Sequence, residues 1–301
     1  MKHLLSLNEW SKNEIEDTIS LAIKLKKSPH KCINSLSCKT LVMLFAKPSL
    51  RTHLSFDIAM YQLGGHAIFY DLSHSTLGKK ESIKDFSKVI SRYADVVMAR
   101  LYAHKDIEEL AKYSDVPVIN GLTDYYHPCQ TLGDFMTIKE KIGRIKGVRI
   151  AYLGDANNNV THSLILEAER VGASVIVSAP NKKEFLPNPD AVGNAKYEYE
   201  KNPEKAVKYA DVIYTDTWMS YQIPESAMKR RFRELKPYQV NKKVFDINKK
   251  ALFMHCLPAK RGAEVTNDVM DSVRSIVYDQ AENRMWSEKA ILLKVLGAKI
   301  K

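Results

Sequence analysis

Short apolar runs alternate along the chain with longer stretches whose apolar residues recur every three to four positions, the pattern of β-α units around parallel sheets. In the first half, Thr40–Phe45 (TLVMLF), His66–Tyr70, Asp95–Ala99 and Val116–Ile119 read as strands, with helices between them at Leu54–Leu63, Ile83–Tyr93 and Ile107–Tyr113. The series restarts with strands at Val148–Leu153, Ser174–Ser178, Val212–Thr215 and Leu252–His255, separated by helical stretches such as Ser163–Val171 and Pro224–Leu235. Between the two series, Thr131–Ile142 reads as a connecting helix that ends at Gly143 and the basic turn Arg144–Gly147, and Asp279–Leu296 is a further long helix. A chain of 301 residues exceeds what one core usually organises. The predicted fold class is therefore α/β: two domains, each with a mostly parallel sheet flanked by helices, joined by connecting helices. Residues 1–143 are expected to form the first domain, with helix 283–301 packing back onto it, and residues 144–282 the second. In such folds ligands gather near the carboxyl ends of the strands, so a cleft between the two domains is the expected site.

Composition narrows the function classes. Hydrophobic residues at 45% and charged residues at 27% are ordinary for a soluble globular protein. No apolar run approaches a membrane helix, and Met1–Leu5 lacks a secretory apolar core, so cytoplasmic residence is expected. The net charge of +11 raises a nucleic-acid reading, but the lysines and arginines are spread along the whole chain. Their densest run, Lys229–Arg233, has Glu225 and Glu234 beside it and reads as a solvated helix face. A positive field that favours small anionic substrates is the better fit, and no nucleic-acid or membrane partner is expected. Cys32, Cys38, Cys129 and Cys256 form no CxxC pair and no ligand cluster with histidines, so neither a metal site nor a disulfide framework is indicated and buried free thiols are expected.

Candidate chemistry sits at the strand ends. Lys47–His53 (KPSLRTH) follows a buried strand and opens a helix, where free backbone N–H groups and the helix dipole favour an anion. Ser49 and Thr52 add hydroxyls, and Arg51 adds a planar fork suited to phosphate; a capped helix with a surface arginine is the plainer alternative. No Walker sequence is present, which disfavours a nucleoside triphosphate. His127 and Gln130 lie three residues apart at the head of the connecting helix, and Arg100 closes a strand. Gly154–Asn159 (GDANNN) lacks the spaced glycines of a dinucleotide site. Asp216–Ser220 (DTWMS) and Met254–Pro258 (MHCLP) complete the set, each weak alone and informative through their shared placement.

In this order, SLRT at Ser49–Thr52, LGKKESIKD at Leu77–Asp85, Arg100, HPCQ at His127–Gln130, GDANNN, DTWMS, HCLP at His255–Pro258 and AENR at Ala281–Arg284 resemble the aspartate/ornithine transcarbamylase family, most closely its ornithine members. The resemblance runs through nearly the whole chain. It implies carbamoyl transfer from carbamoyl phosphate to the side-chain amine of L-ornithine, within arginine biosynthesis, with no metal, organic cofactor or covalent enzyme intermediate. Ser49, Leu50 (through its backbone), Arg51, Thr52 and Thr76 would hold the phosphate. Arg100, His127, Gln130 and Arg284 would hold the carbamoyl end, with Cys256 and Leu257 beside the reacting amine. Asn159, Asp216, Ser220 and Tyr221 would bind ornithine. Arg51, Arg100, His127 and Cys256 are the expected catalytic groups. A homotrimer, or a multiple of one, is implied because family members commonly complete each site with a neighbour's loop.

Aspartate-using relatives typically carry arginine where Asn159 stands and HPLP where HCLP stands, whereas Asp216 supplies an anion suited to an ammonium group. The sequence departs from the usual ornithine pattern at His53, which replaces a second arginine, at Thr76, which replaces glutamine, and at Ser220-Tyr221-Gln222, where Ser-Met-Gly is usual. The last departure makes another amine, such as putrescine or a modified ornithine, the alternative substrate.

Overall fold

A computed structural model describes residues 2–72, 81–219 and 223–299. The chain forms two compact units: Met1–Glu140 together with Glu282–Lys301, and Lys141–Ala281.

The first unit is built on four parallel strands in the order β2-β1-β3-β4: β1 (Thr40–Phe45), β2 (His66–Asp71), β3 (Val96–Arg100) and β4 (Val118–Leu122). Helices α1 (Lys12–Lys27), α2 (Leu50–Gln62), α3 (Ile83–Ile90), α4 (His104–Tyr113) and α5 (Pro128–Ile142) belong to this series. Val42, Leu44, Val97 and Ala99 of the central strands pack with Ile107 and Leu110 of α4 into a continuous core. The register sets Phe45 beside Arg100, so β1 and β3 end together, and Ala46 N–H donates to the Arg100 carbonyl at 2.9 Å.

The apolar pattern places β1 and β6 at the residues the structure gives them; at several other elements side chains move the ends. Ser49 caps α2 by accepting from Thr52 N–H, so the helix starts at Leu50 rather than Leu54. Likewise α5 starts at Pro128, a residue suited to a first turn, rather than at Thr131. Strand β4 begins at Val118 because the Ser114 hydroxyl holds both the N–H and the carbonyl of Val116 in a turn. Helix α1 is absent from the sequence expectation. It has a capping box between Ser11 and Glu14 and a buried stripe at Ile15, Ile19, Ala22 and Leu25, so the signal was available.

The second unit carries five parallel strands in the order β7-β6-β5-β8-β9: β5 (Arg149–Leu153), β6 (Ser174–Ser178), β7 (Glu198–Tyr199), β8 (Val212–Tyr214) and β9 (Leu252–Met254). Its helices are α6 (Asn159–Val171), the short α7 (Pro189–Val192) and α8 (Pro203–Val207), α9 (Glu225–Leu235), and the short α10 (Lys242–Phe245) and α11 (Asn267–Met270). Helix α12 (Val277–Val295) follows. Ala151, Leu153, Ile213 and Phe253 join Val240 and Val265 in one core. Tyr152 pairs with Tyr214, and Tyr214 with Met254, so the loops after β5, β8 and β9 emerge side by side. No helix among the described residues is long and apolar enough to cross a membrane.

Candidate functional site

In the first unit the chain leaves β1, passes Lys47-Pro48, and enters α2 at Ser49, whose extended backbone (φ −163°, ψ 107°) turns its hydroxyl over the first turn. Ser49 Oγ accepts from Thr52 N–H at 3.3 Å and lies 3.1 Å from Thr52 Oγ1. Arg284, from α12, donates from Nη2 to the same Thr52 oxygen at 3.1 Å. The turn at Ser49–Thr52 thereby offers a helix N-terminus, two hydroxyls and a buried guanidinium within a few ångströms of one another. Leu50 is exposed at the first helical position, which leaves its backbone as the part facing the turn, and Arg51 follows, half-buried.

Arg100, His127 and Gln130 are all buried. His127 stands at the head of α5, and its pKa is well below the usual histidine value because of burial, then the charges of Arg284 and Arg100. The imidazole is therefore neutral at physiological pH and keeps one N–H to donate. Gln130 does not simply share a ligand face with His127: its Nε2 donates to Asp134 Oδ1 at 2.8 Å. Lys47, at the start of the KPSLRTH segment, is also buried. Its Nζ sits 4.5 Å from the centre of the Tyr102 ring, and its pKa is lowered by burial and then by Arg100. A lysine two residues past a continuous apolar strand, at a strand end where ligands gather, was the signal for it.

In the second unit three loops meet. After β5, Gly154 adopts φ +114°, and a Cβ there would lie 2.6 Å from Trp218 Nε1, so glycine is required both by conformation and by space. Asn158 caps α6 through Thr161 N–H at 2.9 Å, and Asn159 is its first residue. Asn158 Nδ2 also donates to the Tyr152 hydroxyl at 2.9 Å and to the Asp155 carbonyl at 2.7 Å, which fixes the loop. After β8, Asp216 Oδ1 accepts from Thr217 N–H at 2.7 Å and from the Cys256 thiol at 3.0 Å. After β9, Leu257 takes a left-handed backbone (φ +59°) while its N–H donates to His255 Nδ1 at 2.9 Å. The structure thus joins Asp216 to Cys256, with Leu257 next in the chain, and sets Asn159 on the neighbouring loop.

Two expectations need correction. The run Lys229–Arg233 does lie on a helix, α9, but Arg231 is not solvated: it is buried, pairs with Asp155 and lies over the Phe185 ring at 4.7 Å. Helical phase turns that one member of the run inward. Of the cysteines, Cys32 and Cys129 are buried, but Cys38 is exposed and Cys256 half-buried. Asp216, His255 and Cys256 bring ligand-type atoms within 4.8 Å of one another, an arrangement of the kind that can hold a metal ion. The sequence spacing hides it because Asp216 comes from a different strand end. In the fold these atoms are engaged with one another and with Leu257 N–H. Thr76, Ser220 and Tyr221 lie outside the described residues.

Residues 2–140 match the family described as aspartate/ornithine carbamoyltransferase, carbamoyl-P binding domain, and residues 146–295 match its Asp/Orn binding domain. The ornithine carbamoyltransferase of Pyrococcus horikoshii is 46% identical, over 98% of this chain and 96% of the relative. The chloroplastic ornithine carbamoyltransferase of Pisum sativum is 43% identical, over 99% and 81%. The structure of ornithine carbamoyltransferase from Pyrococcus furiosus superposes with a TM-score of 0.92 at 45% identity, covering 98% of this chain and 97% of that one. That of the Giardia lamblia enzyme gives 0.89 at 36% identity, covering 98% and 97%. With two parallel-sheet units, the Ser49–Thr52 turn, the buried Arg100–His127–Arg284 group and the Asp216–Cys256 pair, the chain belongs to the aspartate/ornithine carbamoyltransferase family.

Proposed function

We propose that this chain transfers the carbamoyl group of carbamoyl phosphate to the side-chain amine of L-ornithine, giving L-citrulline and phosphate. The observation that carries ornithine over aspartate is Asp216, an anion bonded to the Cys256 thiol at 3.0 Å. A second substrate carboxylate would be repelled there, whereas an ammonium group is attracted. Ornithine also appears in the names of the close relatives, and one of them, from Pyrococcus furiosus, is named anabolic, which supports a biosynthetic role.

In this reading Ser49, Leu50 N–H, Arg51 and Thr52 hold the phosphate, and Arg100, His127, Gln130 and Arg284 hold the carbamoyl end. The neutral His127 donates its N–H to the carbamoyl oxygen, and the arginines balance the charge that grows on the departing phosphate. Asn159, Asp216, Ser220 and Tyr221 bind ornithine. The uncharged amine attacks the carbonyl carbon, a C–N bond forms, and the tetrahedral intermediate collapses as the C–O bond to phosphate breaks. Asp216 and Cys256 orient the amine and help it lose its proton, while the Leu257 backbone lies beside it. Thr76 belongs to the phosphate set in the same proposal.

A homotrimer or a multiple of it, resident in the cytoplasm, is part of the proposal. Leu50, Leu54, Ile58 and Tyr61 form an exposed stripe along α2, and Ile68, Phe69 and Tyr70 are exposed on the edge strand β2, a surface that supports burial against further copies. Light scattering reads the oligomer directly, and fractionation reads the location.

Citrulline formation from carbamoyl phosphate with ornithine, compared with aspartate, lysine and putrescine, tests the activity; preference for any amine other than ornithine overturns the substrate assignment. Arg51→Ala is expected to lower kcat/KM roughly a hundredfold, the scale of losing one preorganised donor, in a folded protein. Near-normal kinetics in that variant would remove the phosphate assignment.

A further inference from the structure

Behind the phosphate turn lies an acid that the mechanism above does not use. Glu288 sits one turn after Arg284 on α12, fully buried. Its Oε1 accepts from Arg284 Nη2 at 2.9 Å, the nitrogen that also reaches Thr52 Oγ1 at 3.1 Å. Its Oε2 is buried beside the Ser55 hydroxyl, which acts on the carboxylate as a hydrogen-bond donor and also lies 3.4 Å from the Thr52 carbonyl. Arg284 Nε is buried and unpartnered among the described residues.

We propose that Glu288 is a positioning residue that sets the charge of the phosphate site, holding Arg284 against Thr52 and taking up a proton from solvent when a tetrahedral dianion occupies the Ser49–Thr52 turn. The inference rests on the assignment of that turn as the phosphate site. With Glu288 ionised, the Glu288–Arg284 pair is neutral and contributes little attraction for an anion. With Glu288 protonated, the Arg284 charge is available to the ligand, and no carboxylate charge has to be kept buried. An anion arriving at Thr52 therefore favours the protonated acid, and by linkage the protonated acid favours the anion.

Burial pushes the Glu288 carboxyl up to about 7, against the opposing charge of Arg284, which places the exchange in the physiological range. The other groups near it do not share that range: on α5, His127 is held well below its usual value and Cys129 is pushed far up, chiefly by burial and then by Glu288 itself. Asp134 on α5 is committed to Gln130, Thr52 and Ser55 on α2 are hydroxyls, and Arg100 keeps its charge throughout. Lys289, next on α12, donates to Gln62.

Sulfate is a suitable probe because it is tetrahedral and dianionic across the whole pH range. Isothermal titration of the full-length wild-type protein with sulfate between pH 6 and 8.5 is expected to show affinity falling about tenfold as pH rises. Tenfold corresponds to a one-unit rise in the acid's pKa on binding. Titration at pH 7.5 in two buffers of unequal ionisation enthalpy should show net proton uptake. Glu288→Gln keeps the shape and should bind sulfate with neither the pH dependence nor the uptake. Wild-type binding that is flat with pH and releases or takes up no proton overturns the proposal, whether or not the variant folds. So does a Glu288→Gln protein that retains the wild-type profile. A wild type that binds neither sulfate nor carbamoyl phosphate removes the phosphate turn and the proposal together, whereas binding without pH dependence leaves the turn intact.

Discussion

In the first unit the arginine of a buried ion pair faces the Ser49–Thr52 turn and its carboxylate, Glu288, stands behind; in the second unit the carboxylate, Asp155, belongs to the loop after β5 and the arginine, Arg231, stands behind on α9. Each pair joins two groups that burial makes costly alone. In the first, the outward partner is a cation beside hydroxyls and a helix N-terminus, matched to an anion. In the second, the backing cation holds in place a loop that ends in Asn158 and Asn159 and neighbours the Asp216–Cys256 pair, the side proposed above to meet the ornithine amine. The difference is one of orientation rather than of composition. A buried pair carries no net charge but acts as a dipole, so which member faces outward sets the sign of the potential on that side.

The largest test of that contrast is Arg231→Met. Removing the backing cation leaves Asp155 buried alone, with a loss of ~3–5 kcal/mol in stability by urea unfolding. Adding Asp155→Asn to the same protein should restore most of the loss. If the double variant is as unstable as the single one, packing of α9 outweighs the pair, and the symmetry between the units fails.

A second test uses pH. Glu288 has a folded pKa of about 7 against an ordinary 4.5, so the folded protein holds this proton more tightly than the unfolded chain. Its contribution to stability is present below about pH 4.5, falls as pH rises to about 7, and is flat above, a total of ~3 kcal/mol at 1.36 kcal/mol per unit. Glu288→Gln should therefore gain on the wild type by that amount between pH 5 and 8. Asp155, also raised to about 7 by burial against the opposing Arg231, should give Asp155→Asn a similar trend. Parallel pH profiles of wild type and both variants would show that neither acid is held up by burial.

The smallest effect separates capping from binding. Ser49→Ala and Asn158→Ala each remove one helix cap and should each lower stability by ~1 kcal/mol. Only Ser49→Ala should also weaken sulfate binding, since Asn158 belongs to the other unit. Equal loss of sulfate affinity in both variants would mean that the cap, not the hydroxyl, matters.

Strands packed on both faces were legible because burial writes itself as continuous apolar runs, as in Thr40–Phe45 and Ser174–Ser178. Strand β7 was not, since two exposed residues leave no pattern. The placement of candidate residues was legible where they sit beside their own strand end, as at Ser49–Thr52, Arg100 and Asp216. It was hidden where partners are far apart in sequence. Arg231 was read as a surface charge because its composition is basic, and nothing local marks its partner 76 positions away. Glu288 lies only four residues from Arg284, but an i, i+4 pair reads as a surface salt bridge until burial is known. Gln130 was correctly placed at the helix head, while its bond to Asp134 needed the rotamer.

Because the first unit comprises Met1–Glu140 and Glu282–Lys301, with the whole of the second unit encoded between them, synthesis imposes an order on assembly. A chain emerging from a ribosome presents β1, the Ser49 turn and His127 early. Arg284 and Glu288 follow on the order of ten seconds later at ordinary elongation rates. During that interval the nascent first unit lacks the guanidinium that reaches Thr52, together with the buried acid behind it. A product released before residue 284 would lack both that guanidinium and the buried α12 residues Ile291, Leu292 and Leu293 of the same unit. If the Ser49–Thr52 turn holds phosphate as proposed, retention on an immobilised sulfate analogue separates finished chains from prematurely terminated ones.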